Sequence, residues 1–236
     1  MTTHHGGRYL DSPDLPLSAA GPPDYYVIHA WANPFSLLVD ALSAYLHTNP
    51  GLQQPGEVRL WLDLFALSAH EAHPPSPLSG EDLEAAVAGA LTDPISASKA
   101  VLLVLDPAST PLRRLWCLFE LDAAVHLKGP DGLLILTTRG ASGVKGPDGL
   151  EVLTAGGASG MLDVGRLGHE VDAEAAGCSQ ASERAYLQAL IDQQHGGSAA
   201  LSSRLRLFFM LQPLDYRAEL QTAQVRGRGG TCKYVL

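Results

Sequence analysis

Glu120 is the carboxylate of this chain whose setting most demands an explanation. It lies in Leu115-Trp116-Cys117-Leu118-Phe119-Glu120-Leu121, shortly after an apolar run, 100–105, that stops at Asp106-Pro107. Trp116, Phe119, Glu120, Ala123, Ala124 and Leu127 recur at the spacing of one helix face. A charge on an apolar face near the end of a buried strand is costly to desolvate alone. Two readings stay open. Glu120 sits at the edge of the face and pairs with Arg113 or Arg114, or it contacts a ligand.

Other clusters say less. His70-Glu71-Ala72-His73 precedes Pro74-Pro75, which cannot continue a helix, and it lacks the HExxH spacing, so no metal site is expected. His29 and Cys117 could form a dyad, but a free cysteine beside Trp116 more often packs as a small apolar group. Gly156-Gly157-Ala158-Ser159-Gly160 does not have the spacing of a phosphate-binding loop. Trp31 and Phe35 either join the core or floor a pocket, and large aromatics favour the core.

The elements that must position these residues alternate. Strands are expected near 25–30, 58–64, 100–105, 132–138 and 161–164, with an extra short strand possible at 150–154. Helices are expected at 35–46, 81–91, after Leu115, and at 183–194 and 201–211. Ser79 is suited to cap the second of these. Such alternation implies a parallel sheet with both faces covered and right-handed crossovers. In such sheets ligands bind beyond the carboxyl ends of the strands, where Asp63, Asp106, the residues after Trp31 and Glu120 would gather. Residues 139–160 form a Gly-rich insert in which Lys128-Gly129-Pro130-Asp131-Gly132-Leu133 is echoed by Lys145-Gly146-Pro147-Asp148-Gly149-Leu150. Two copies of a Pro-Asp-Gly turn do not make a repeat fold.

Composition narrows the classes. The 236 residues hold 16 basic and 25 acidic side chains, a net charge of −9 that argues against nucleic-acid or anionic-membrane partners. The 46% hydrophobic share is that of a globular protein, and no apolar run is long enough to span a bilayer. The first 23 residues lack the charge and apolar pattern of a signal peptide and read as a disordered tail. One α/β domain is expected over 24–216 and a flexible tail over 217–236. Three scattered cysteines suggest no disulfide framework, which fits a reducing, cytoplasmic location.

Taken together, Val27-Ile28-His29-Ala30-Trp31 with Asn33-Pro34-Phe35, Leu60-Trp61-Leu62-Asp63-Leu64-Phe65-Ala66, Val101 to Pro107, and Trp116-Cys117-Leu118-Phe119-Glu120-Leu121 resemble a TIR (Toll/interleukin-1 receptor homology) domain. The likeness is to the divergent type associated with algal and oomycete proteins. It covers about 24–138, and 161–216 more loosely. It implies a five-stranded parallel flavodoxin-like sheet with helices on both faces, followed here by a C-terminal helical segment. It also implies NAD as substrate rather than cofactor, cleaved at the nicotinamide–ribose bond, with Glu120 at the catalytic glutamate's position. Trp31, Asn33, Phe35, Asp63 and Trp116 would contact the substrate, and homotypic self-association would complete the site. The chain departs from the pattern after its first strand, where Ala32-Asn33-Pro34 replaces a longer loop with an arginine. A non-catalytic TIR-like module for self-association is the alternative.

Overall fold

The computed structural model describes residues 21–48, 58–66, 91–138, 150–154, 164–179 and 181–211. Strand β1 (Tyr25–Ile28) leads into helix α1 (Phe35–Thr48), and strand β2 (Leu60–Trp61) into the single turn α2 (Asp63–Ala66). Helix α3 (Asp93–Ala97), strand β3 (Ala100–Leu105) and helix α4 (Leu115–Lys128) follow. Strands β4 (Leu133–Thr138) and β5 (Leu150–Thr154) precede helices α5 (Val164–Glu170), α6 (Ala181–His195) and α7 (Ser198–Leu211).

The sheet runs β2-β1-β3-β4-β5. Its first four strands are parallel, with Tyr25 opposite Leu60 and Ala100, and Val101 opposite Leu133. The expectation of five parallel strands ending at 161–164 is not met. The fifth strand is antiparallel to β4, with Leu136 opposite Val152. The eleven residues between Thr138 and Leu150 are at the short limit of a parallel crossover, and an antiparallel return has no such minimum. Val164 opens α5 instead of a strand, while 161–163 lie outside the described residues. Of the residues read as that strand, the described one, Val164, is helical. The β2 expectation of 58–64 shrinks to two residues. Leu62 carbonyl accepts the N–H groups of Phe65 and Ala66, which turns the chain at Asp63.

Alternation along the strands divides the core. Tyr26, Ile28, Val101, Leu103, Leu105, Leu133 and Ile135 face α3 and α4. Tyr25, Val27, Leu102, Val104 and Leu136 face α1. β3 is central and buried along almost its whole length, as its unbroken apolar run requires. Leu103, Leu118 and Phe119 are essentially inaccessible to solvent, and each such side chain contributes roughly 1.5–3 kcal/mol by leaving water.

Helices α5, α6 and α7 pack outside α4 in the same core. Two sets of polar contacts tie them to α4 and the turn before it. Leu115 N–H, one of the unpaired donors at the start of α4, donates to Gly177 carbonyl at 3.0 Å, and Gly177 N–H donates to Arg113 carbonyl at 2.7 Å. Asp122 on α4 accepts from Arg204 Nε at 3.1 Å and lies 3.1 Å from His195 Nδ1. α4 ends at Gly129, whose φ of 66° is one that side-chain-bearing residues rarely adopt. The helix expected at 81–91 falls outside the described residues up to position 90, as do both terminal tails beyond 21–211 and most of the Gly-rich insert. No helix of the described residues is long and apolar enough to cross a membrane.

Candidate functional site

The carboxyl ends of β1 and β2 place His29 and Asp63 near one another. β1 stops at Ile28; His29 and Ala30 stay buried, and the chain then turns, with Asn33 N–H donating to Ala30 carbonyl at 2.9 Å. The turn throws Trp31 outward, so its side chain is 54% exposed, but its indole Nε1 donates to Asp63 Oδ2 at 2.7 Å. Asp63 opens α2, where its Oδ1 accepts Leu64 N–H at 2.7 Å. His29 Nδ1 faces the same oxygen at 3.6 Å. Three nitrogen-bearing groups therefore converge on one carboxylate.

A cleft of about 180 Å³ opens beside this cluster, lined among others by His29, Trp31, Asn33, Phe35 and Leu64. Phe35 is 47% exposed and meets Phe65 edge to face, with ring centroids 6.0 Å apart. Burial of Trp31 and Phe35 in the core, favoured from residue type alone, is thus overturned. The turn after Ala30 carries both rings to the surface, where they flank the cleft.

Glu120 lies one layer deeper. It is 8% exposed on α4, and its Oε1 accepts a hydrogen bond from Tyr26 Oη of β1 at 2.7 Å. Neither arginine expected as a partner reaches it. Arg113 pairs with Glu170 at 2.6 Å, and Arg114 donates to Ser179 Oγ at 2.6 Å. Glu120 is not among the residues that line the cleft. Trp116 packs against Phe119 and Tyr186 on the α6 side and does not line the cleft either.

The electrostatics follow from this layout. Burial raises the Glu120 carboxyl well above its usual range, and the negative charge of Asp63 raises it further; the Tyr26 phenol works in the opposite sense. Asp63 is raised by burial too, but His29, the Trp31 indole and Leu64 N–H all favour its ionised form. Donors are concentrated on Asp63, so of the two acids Asp63 bears the charge and Glu120 favours the proton. Burial pushes the His29 imidazole down, with Asp63 opposing, which favours a neutral ring.

His29 Nε2 is buried and has no hydrogen-bond partner among the described residues. Leaving such an atom unpaired typically costs about 1–3 kcal/mol, and a buried polar atom of this kind calls for a reason. Cys117 does not engage the ring. Its thiol donates to His29 backbone carbonyl at 3.2 Å, and burial holds it protonated, which leaves a structural cysteine and no dyad.

Asp106 is spent on its own loop. Its carboxylate accepts Thr110 N–H at 2.7 Å and Thr110 Oγ1 at 2.8 Å, closing the turn between β3 and α4. Among the described residues no group of three His, Cys, Asp or Glu side chains could hold a metal ion. His70, Glu71 and His73 lie outside them.

The structure thus lines one cleft with His29, Trp31, Asn33 and Phe35, sets Asp63 against His29 and Trp31, and keeps Asp63, Glu120 and Trp116 out of the lining. Sequence reasoning missed two partners. The sequence shows Tyr26 only as a strand residue and offers Cys117, not Asp63, as a partner for His29. Period-2 alternation placed Tyr26 on the face of Ile28, which is the face that α4 covers, but the pairing itself is a contact between elements distant in sequence. Compared with protein-family models, with curated proteins and with solved structures, the chain matches none.

Proposed function

We propose that this chain is a divergent TIR domain with a flavodoxin-like strand order, and that it hydrolyses the nicotinamide–ribose bond of NAD. The observation that carries the reading is an aromatic-flanked cleft at the carboxyl end of a parallel sheet, with Asp63 held by the cleft residue Trp31 and with the buried Glu120 carboxyl raised by burial and by the charge of Asp63. The order β2-β1-β3-β4, all parallel, is that of a doubly wound sheet and is compatible with this family.

The chemistry fits the pair. Loss of nicotinamide leaves an oxocarbenium-like ribose, and a fixed negative charge beside it lowers the barrier. The cleft, at about 180 Å³, is far smaller than a site for a whole dinucleotide. A cavity of about 150 Å³ takes a benzene ring, so the space beside Trp31 and Phe35 suits the nicotinamide ring alone. A pyridinium there would be opposed by the charge of Asp63, which the cleft residue Trp31 anchors, because an opposite charge favours the ionised carboxyl. Glu120 does not line the cleft, so the reading requires its side chain to leave Tyr26 and turn toward the ribose before accepting hydrogen bonds from its hydroxyls. The rest of the dinucleotide would rest on a neighbouring protomer, in keeping with homotypic assembly.

The second reading is a self-association module without activity. The seat of Glu120 behind the cleft, capped by Tyr26, favours it.

Nicotinamide release from NAD by the purified protein, followed from nanomolar to high micromolar concentration, tests the proposal. Release whose rate per molecule rises with concentration, and falls on the order of a hundredfold in a folded Glu120→Gln variant, supports it. No release from the wild type at any concentration, or equal rates in the variant, overturns it in favour of the module.

A further inference from the structure

We propose that His195 is a proton-operated latch: when its ring takes up a proton, Asp122 exchanges Arg204 for His195, and α7 is loosened from α4. The latch lies outside the cleft and is independent of the hydrolase reading.

Three helices meet at one ring nitrogen. His195, the last residue of α6, places Nδ1 3.1 Å from Asp122 Oδ2 on α4 and 2.6 Å from Arg204 Nη2 on α7. An arginine nitrogen only donates, and an ionised carboxylate oxygen only accepts. A single ring nitrogen therefore serves one of these neighbours at a time. Bare, it accepts from Arg204. Carrying a hydrogen, it donates to Asp122 and can no longer accept from Arg204.

With the ring neutral, Arg204 is the hub. It also donates to Asp122 through Nε at 3.1 Å and Nη2 at 3.3 Å, and to the His195 carbonyl through Nη1 at 3.1 Å. A proton on the ring sets two like charges against each other at the shortest of these contacts. The ring is the less able to yield. It packs edge to face on Phe119, with centroids 5.3 Å apart, and its side chain is 14% exposed. Arg204, at 44%, has a way to solvent. Asp122 is then held by α6 instead of α7. Leu201, Leu205 and Phe209 stay buried, so α7 is loosened and not shed. Gly196 and Gly197, with φ of 74° and 104°, join the two helices without side chains to restrain the shift. Asp122 and Arg204 also line a groove of about 360 Å³ with Val125, Leu205, Leu207 and Phe208, so the exchange alters the walls of that groove.

The ring faces Asp122 and His126 from α4 and Arg204 from α7. Asp192, three residues back on α6, is engaged by Gln188 at 2.9 Å. Burial holds the imidazole below its ordinary 6.5; Asp122 opposes this, and Arg204 and His126 add to it. The latch therefore turns on the acid side of pH 6.5.

Nitrogen NMR of the whole chain tests the latch without any variant. The neutral ring is expected to carry its hydrogen on Nε2, and the Arg204 Nε resonance to shift with the midpoint of the ring as pH falls. A neutral ring with its hydrogen on Nδ1, or an Arg204 resonance that does not follow the ring, overturns the proposal.

Hydrogen exchange separates the latch from general acid destabilisation. Between about pH 7.5 and 5, protection of the α7 amides is expected to fall about threefold to tenfold relative to those of β3. In His195→Asn the side-chain oxygen keeps an acceptor for Arg204 but takes up no proton, and the relative fall is expected to vanish. An equal fall in α7 and β3, which titration of His29 alone would produce, overturns the latch. So does a relative fall of the same size in the variant.

Discussion

The Tyr26 phenol donates to Glu120 Oε1 at 2.7 Å, joining the first strand to the helix after the third. Both side chains are buried, and 94 positions separate them in the chain. The bond crosses the sheet–helix interface. It gives a buried carboxyl a named donor while leaving the negative charge on Asp63, where the other donors gather.

Tyr26→Phe should retain the fold and lose about 1–3 kcal/mol, since the ring keeps its packing and the Glu120 acceptor is left unpaired. The Glu120 carboxyl should move further up once its one opposing influence is removed. Urea unfolding measures the first effect, and carbon NMR titration of the Glu120 side chain the second. A downward shift of that carboxyl would contradict the described bond.

Glu120→Gln should make stability less dependent on pH. The folded protein holds the Glu120 proton above the ordinary carboxyl value of 4.5, while the unfolded chain releases it there. More protons are then bound in the folded state, so the wild type loses stability as pH rises above about 4.5. Glutamine cannot titrate, and its advantage over glutamate should grow from pH 4.5 upward. Unfolding curves for both proteins between pH 4 and 8 check this; parallel curves would show that Glu120 is ionised in the folded state.

His29 should act in the opposite window. Its folded value lies below the ordinary 6.5, so the unfolded chain takes up a proton first as pH falls. Stability contributed by the neutral buried ring is present above pH 6.5 and is lost below it. His29→Leu should therefore lessen acid destabilisation just below pH 6.5 in thermal unfolding.

Trp31→Phe should leave global stability within about 1 kcal/mol, because the indole is half exposed and only one hydrogen bond is lost. Asp63 should nevertheless titrate at higher pH, having lost a donor to its charged form. NMR titration of Asp63 reads this directly, and an unmoved midpoint would deny the indole a part in holding the charge.

Asp122→Ala should cost about 1–3 kcal/mol. It removes the acceptor shared by Arg204 and His195 and so loosens α4 from α6 and α7; the partial exposure of Arg204 keeps the cost from being larger. Hydrogen exchange should quicken first in 181–211 and last in β3. Uniform quickening would mean that these helices do not open separately.

Much of the frame was legible because it depends on local pattern. The run 100–105 is apolar throughout, and a strand buried on both faces has to be so; it sits at the centre of the sheet as expected. The spacing of Trp116, Phe119 and Glu120 marked α4 and the odd carboxylate on it. The repeats at helical spacing near 35–46, 183–194 and 201–211 likewise found their helices, with ends displaced by a few residues.

What the sequence could not determine was set by contacts between distant segments. The direction of β5 depends on which edge the returning chain meets, and hydrophobicity does not encode strand direction. Val164 and Leu167 have residue types that suit a strand or a helix, and packing of α5 on α7, with the backbone of Arg206 close to Gly168, selected the helix. Trp31 and Phe35 looked like core residues until the turn after Ala30 carried them to the surface. Glu120 was visible as a buried charge from spacing alone. Its partner could be found only by closing the chain, because a neutral phenol on a neighbouring strand satisfies a protonated carboxyl as well as an arginine satisfies an ionised one, and only the tertiary structure decided which of them was within reach.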